Sequence, residues 1–114
     1  MTQLNIIQPS CESCTLAGPP KVWGYGPEQA DIVIVGEAPG QLETRMLQPF
    51  VGDSGKLLKK ALECVDIDPA RVFFTNVCLC RPDKNRTPTE KEASCCSLRL
   101  HSEILSRNPK KVLL

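Results

Sequence analysis

The sequence predicts an α/β fold, a partial doubly wound parallel sheet in three layers. Three observations carry that expectation. A β-branched run, Asp31 to Val35, is short enough for a buried strand and stops at a glycine-flanked turn. A second apolar run, Arg71 to Val77, follows across an amphipathic segment, and this strand–helix–strand order is that of a right-handed parallel crossover. A further helical segment then leads into Lys110–Leu114, a third short strand.

In chain order, residues 1–10 read as a loose lead-in. Ala17 to Pro27, with its GPP and GYGP combinations, reads as turns, where Trp23 and Tyr25 cover a core edge. The first strand ends in Gly36-Glu37-Ala38-Pro39-Gly40, and Gln41 to Gly52 is expected to be irregular. Asp53 or Ser54 then caps a helix whose apolar residues Leu57, Leu58, Ala61, Leu62 and Val65 share one face, with Lys56, Lys59 and Lys60 elsewhere. Asp66 to Ala70 is a turn before the second strand. Cys78 to Pro88 is a polar, basic loop without apolar period. Thr89 and Glu92 have the spacing of a capping box, opening a helix that runs to about Arg107 with Cys96, Leu100, Ile104 and Leu105 at roughly helical intervals. Asn108-Pro109 stops it. The expectation is one small domain over 1–114, ending after its third strand, with no repeat, linker or low-complexity segment.

Composition narrows the function classes. A formal net charge of +1 leaves any nucleic-acid binding to a local basic patch. The first ten residues lack the charged start and apolar stretch of a signal peptide, and no apolar run approaches the roughly 20 residues of a membrane span. Seven cysteines in 114 residues therefore point to a metal or cluster in the reducing cytoplasm rather than to disulfides. Gly52-Asp53-Ser54-Gly55-Lys56 has the look of a P-loop but fails its pattern, because Phe50 stands at the first glycine position and Leu57 at the Ser/Thr position.

Candidate functional residues follow from position. Loops leaving the carboxyl ends of strands in open α/β sheets bind ligands, so Glu37 in its turn is a candidate for chemistry, and Asn76 would lie on the same edge. Phe50, between loop residues, is either a core plug or a stacking platform. Arg81, Lys84 and Arg86 lie close enough together to contact phosphates. Cys11-Glu12-Ser13-Cys14 precedes the first strand, where a CxxC suits two thiolates on one metal or cluster.

Together these stretches resemble the iron–sulfur uracil-DNA glycosylases, often called family four. The likeness runs from Cys11 to Leu114 and rests on the CxxC, on GEAPG (36–40), PFVGDSG (49–55), TNVCLCRPDKNRTPT (75–89) and a helical Cys96. A similar segment is attached to phage-type DNA polymerases, which implies a second possibility, a catalytically incomplete DNA-binding module acting with a replication protein. The resemblance implies the three-layer sheet of that family with an N-terminal cluster segment, a [4Fe-4S] cluster on Cys11, Cys14, Cys80 and Cys96, and zinc as the alternative occupant. Cys64, Cys78 and Cys95 are left as small core or surface residues, although Cys95 and Cys78 stand close enough to swap with their neighbours. It further implies a monomer acting on uracil-containing DNA, with replication or repair proteins as further partners and no membrane. Phe50 would stack on uracil, Asn76 would read it, Gly36 and Ala38 would line its pocket, and Glu37 would act on water or the sugar, with Glu43 a weaker candidate carboxylate. Related glycosylases without a cluster carry Asp where this chain has Ala38. Family members commonly have an acid at the position of Thr44 and a glycine at that of Leu47, where leucine is expected to disturb the turn. A HisProSer-like segment of the family is not matched by His101, which reads as an exposed helix residue.

Overall fold

The structure, a computed structural model, describes residues 7–11, 14–16 and 18–114. Residues 1–6 of the expected lead-in, Glu12 and Ser13 of the CxxC, and Ala17 lie outside that range. Three parallel strands form one sheet: β1 (Ile32–Gly36) in the centre, β2 (Val72–Asn76) on one side and β3 (Lys111–Leu113) on the other. The helices are α1 (Gln41–Met46), α2 (Asp53–Cys64) and α3 (Glu90–Arg107). The three-layer parallel arrangement is the one expected.

Alternation along the strands builds the layers. Val33, Val35 and Phe73 are buried on one face and pack with Ala30 against Leu100 and Ile104 of α3. Ile34, Val72 and Phe74 are buried on the other, against Leu58 and Leu62 of α2. Burying a ring such as that of Phe73 stabilises by about 2–3 kcal/mol. On the outer side of β2, Tyr25 pairs with Phe74 through two backbone hydrogen bonds of 2.8 Å. Tyr25 and Trp23 are themselves exposed, so it is the backbone of this loop that covers the sheet edge. The capping box opening α3 is present in both directions, and Asn108 in left-handed conformation ends the helix.

Several expectations are corrected. Gln41 to Gly52 is not wholly irregular, because Glu43 reaches back to the Gly40 N–H and the Thr44 hydroxyl donates to the Gly40 carbonyl, closing the short helix α1. The cap of α2 is Gly52, not Asp53 or Ser54. Of the five apolar residues assigned to its inward face, only Leu58 and Leu62 meet the sheet, while Leu57, Ala61 and Val65 are exposed. Gly55 takes part of that face, and Lys59 lies over the Phe74 ring at 5.3 Å. On α3, Leu105 points outward, whereas Glu92, Arg99 and Glu103 are buried beside Cys96. No helix among the described residues is long and apolar enough to cross a membrane.

Leu47 does enter the turn where its side chain was expected to interfere. It caps α1 at φ 56° and ψ 39°, with its side chain in solvent. That left-handed backbone costs a leucine about 1–2 kcal/mol, from which Gly is exempt. Leu47→Gly should therefore stabilise the chain by about 1 kcal/mol after the unfolded-state entropy of glycine is set against it, and urea denaturation would show the higher midpoint at unchanged slope.

Candidate functional site

The site begins with strand register. Gly36 at the end of β1 is paired with Asn76 at the end of β2, so both strands deliver their last residues to one edge. The Val77 N–H continues the pairing to the Gly36 carbonyl at 2.8 Å, and the Cys78 N–H reaches the Glu37 carbonyl at 3.0 Å. Gly36 has a Phe50 ring atom, Cζ, 2.8 Å from where a Cβ would stand, and the Asn76 amide oxygen is closer still. Any larger residue would displace the Phe50 ring or the Asn76 amide. Glu37, Ala38, Phe50 and Asn76 with Gly36 line one open cavity, so the structure brings these sequence-derived candidates together.

Phe50 is both core and cavity wall. Its ring lies 5.3 Å from that of Phe74, at a tilt of 44°, and packs on the α2 side of the sheet. Its backbone is left-handed, at φ 56°. Gly55 permits this, since a Cβ there would stand 2.6 Å from the Phe50 Cα. Asn76 is 4% exposed, and its side-chain amide makes no hydrogen bond to the described residues. An amide of a nearly buried residue that opens to the cavity without a protein partner suits a ligand that supplies one.

Glu43 also lines the cavity, but its oxygens are engaged. Oε1 accepts the Gly40 N–H at 3.1 Å, and Oε2 accepts those of Val51 and Gly52 at 3.0 and 2.7 Å. It clamps the Glu37 turn to the Phe50 loop, while Glu37 is exposed at the mouth with its carboxylate uncommitted. This geometry makes Glu43 a clamp rather than a second acid.

Of the basic residues, Lys84 is exposed and Arg81 Nε donates to Asn85 Oδ1 at 2.7 Å. Arg86 is bound in bidentate fashion to Glu92, with both bonds at 2.9 Å. Glu92 additionally accepts the Thr89 N–H at 2.9 Å and the Thr15 hydroxyl. The Arg86 hydrogen bonds, then that of Thr15, hold its carboxyl far below the ordinary carboxylate range. This joint links the segment after Cys14, the basic loop and the start of α3.

Six cysteines line one small cavity: Cys11, Cys14, Cys78, Cys80, Cys95 and Cys96. Cys78 and Cys95, expected to be spare, stand there with the four named in sequence, while Cys64 is exposed elsewhere. The Cys14 sulfur accepts the Leu16 N–H at 3.4 Å, and the Cys80 thiol donates to the Pro19 carbonyl at 3.6 Å. Burial pushes the Cys14, Cys78 and Cys80 thiols up, that of Cys78 to about 12. Among the described residues no three His, Cys, Asp or Glu side chains meet closely enough to hold a single metal ion.

The profile of the "Uracil DNA glycosylase superfamily" matches residues 23–114, from the sheet-edge loop through all three strands. The chain belongs to the uracil DNA glycosylase superfamily. Among relatives it is 36% identical over 115 residues to a type-4 uracil-DNA glycosylase of Pyrobaculum aerophilum, covering 99% of this chain and 59% of that protein. It is 41% identical over 113 residues to the type-4 enzyme of Sulfurisphaera tokodaii, covering 91% and 49%. A DNA polymerase of Bacillus phage SP01 is 39% identical over 75 residues, 65% of this chain and 8% of the polymerase. The chain thus spans about half the length of the curated glycosylases it matches. In this superfamily member, sequence reasoning missed the Glu43 and Glu92 joints as joints and the buried Arg99–Glu103 pair. The capping-box spacing was the one signal that pointed at Glu92.

Two outcomes follow. Glu43→Ala would leave three backbone N–H groups without their carboxylate and should destabilise the chain by about 2 kcal/mol, with proteolysis between residues 40 and 52 accelerated first. For Glu92, the native carboxyl binds its proton less readily than the unfolded one, whose ordinary value is 4.5. Its contribution is therefore complete above that value and drains away as pH falls towards the lower native one. Glu92→Gln should lower the melting temperature at neutral pH and flatten its decline through that acid window.

Proposed function

We propose that this chain acts as an iron–sulfur uracil-DNA glycosylase, hydrolysing the N-glycosidic bond of uracil in DNA. The observation that carries this reading is the convergence of Glu37, Phe50 and Asn76 around Gly36 at one sheet edge. A base rotated out of the double helix is flat and edged with donors and acceptors. Phe50 offers it a stacking face, worth about 1–3 kcal/mol. The Asn76 amide donates to uracil O4 and accepts from N3–H, whereas cytosine presents the reverse order and would leave buried groups unpaired at about 1–3 kcal/mol each. Gly36 and Ala38 form the floor beside it.

When the bond between C1′ and N1 breaks, its electron pair leaves with uracil and positive charge develops on the sugar. Glu37, uncommitted at the mouth, stabilises that charge and orients the water whose oxygen bonds to C1′, while the proton that water gives up passes to the departing uracil anion. Arg81, Lys84 and Arg86 grip the phosphates on either side. Arg86 does so from its pairing with Glu92, which holds the guanidinium in place.

The donor set of the cysteine cavity fits a cluster. Its six sulfurs are spread around an apolar space shared with Leu16 and Leu79, a thiolate-rich setting that supplies the four ligands such a cluster takes. Cys11, Cys14, Cys80 and Cys96 would hold a [4Fe-4S] cluster there as thiolates, and Cys80 and Cys96 as ligands would tie down both ends of the basic loop. Purified chain should be brown and contain about four irons. Cys80→Ser should weaken DNA binding more than it alters the uracil pocket.

The deciding experiment incubates a uracil-containing oligonucleotide with the 114-residue chain and with a Glu37→Gln/Asn76→Ala double variant. The unaltered chain is expected to leave abasic sites, and the double variant to do so at least about 100-fold more slowly. Equal turnover would remove the site assignment, and DNA binding without abasic product would remove the activity.

A further inference from the structure

One buried ionic group has no part in the reading above. Arg99, on α3, has no exposed surface, and it is paired with Glu103 one turn later at 2.5 Å. Its Nη2 donates to the carbonyl oxygen of Asn76 at 2.9 Å and to that of Val77 at 2.6 Å. Its Nη1 reaches the Thr75 hydroxyl at 3.3 Å besides Glu103. Glu103 in turn accepts the Thr75 hydroxyl at 2.7 Å and the Gly24 N–H at 3.3 Å.

A buried ion pair seldom stabilises a fold more than apolar side chains of the same volume would, so stability is a weak reason for this one. Its geometry suggests another. The N–H groups of Val77 and Cys78 are held by the carbonyls of Gly36 and Glu37. Arg99 takes the carbonyls of Asn76 and Val77 from the α3 side of the sheet. The peptide groups that follow residues 76 and 77 are therefore fixed from two directions, and Asn76, immediately before the first of them, is the buried residue whose side-chain amide lines the cavity.

We propose that Arg99 is a positioning residue for base recognition, fixing the backbone from which the Asn76 amide reads the base and so setting the preference for uracil over cytosine. The inference rests on the glycosylase reading above. Without the guanidinium two buried carbonyls lose a charged donor, and the peptide plane beyond Asn76 is free to tilt. Such a tilt swings the amide at the end of the side chain, and no hydrogen bond to a described residue corrects it. Lysine is not a substitute, since a single ammonium on a flexible stem lacks the planar fork that spans two carbonyls and a carboxylate together.

The test uses the 114-residue chain and oligonucleotides carrying 2′-fluoro-2′-deoxyuridine, which resists hydrolysis, or 2′-fluoro-2′-deoxycytidine at the same position. The ratio of the two dissociation constants, measured on one protein sample, is unaffected by any loss of folded protein. Variants are Arg99→Lys, the charge-neutral pair Arg99→Met/Glu103→Gln, and Asn76→Ala with and without Arg99→Lys. Loss of a charged donor at two carbonyls should lower the uracil preference about tenfold or more in both Arg99 variants, while the cytosine oligonucleotide binds as before. Added to Asn76→Ala, Arg99→Lys should lower it no further, because the two residues act as one unit. An unchanged ratio in both Arg99 variants, or an equal fall in the Asn76→Ala background, overturns the proposal. An unaltered chain without any uracil preference overturns the glycosylase reading and this inference with it, a result distinct from a preference that the Arg99 variants retain.

Discussion

The pairing of Gly36 with Asn76 is the constraint on which the remainder of the molecule depends. Parallel strands exchange hydrogen bonds at fixed intervals, and a slip by one residue would turn every side chain to the opposite face. With this register Val33, Val35 and Phe73 meet α3, Ile34 and Phe74 meet α2, and the last residues of both strands emerge side by side. Gly36, being bare, leaves room for a ring on one side and an amide on the other. Core and cavity are consequences of the same ladder.

A chain of 114 residues buries a limited share of its surface, and three carboxylates join parts that the apolar core does not reach. Glu43 holds two loops through their backbone N–H groups. Glu92 gathers Thr15, Arg86 and the start of α3. Glu103 and Arg99 fasten α3 to the end of β2. Glu92 and Glu103 accept from donors distant in sequence, on Thr15 and Gly24, whereas Glu43 joins neighbouring loops, and each sits near a feature with a proposed role: basic loop, reading amide or cavity. Polar contacts of this kind are directional, so they locate loops more sharply than apolar packing does.

Much of this was legible in the sequence, for identifiable reasons. The strands announce themselves by β-branched and aromatic runs, α3 by its capping box, and the cavity residues by lying at the carboxyl ends of strands. What escaped has equally physical causes. Helix α1 has no apolar stripe and depends on a glutamate reaching back to a glycine N–H, a signal that composition hides among turn residues. Leu57, Ala61 and Val65 of the α2 segment fall in helical period, yet a three-stranded sheet is too narrow to cover them all. Arg99 and Glu103, four apart on a helix, look like a solvent-facing pair, and only the packing of α3 on β2 takes them inside. Cys78 and Cys95 have neighbours in sequence that satisfy the expected count; adjacency alone left them as possible substitutes, and only the fold turns all six towards one space.

Phe50 keeps a left-handed backbone with Gly55 pressed against it and Phe74 beside its ring. A ring seated this way has little freedom left to surrender when a flat guest arrives. Its immobility was secured when the chain collapsed, not at each encounter, so contact with a nucleobase would translate into affinity with small entropic loss on the protein's side. The same stiffness implies discrimination by shape. A guest too thick or too wide for the gap beside Phe50 would have to push that ring off Phe74.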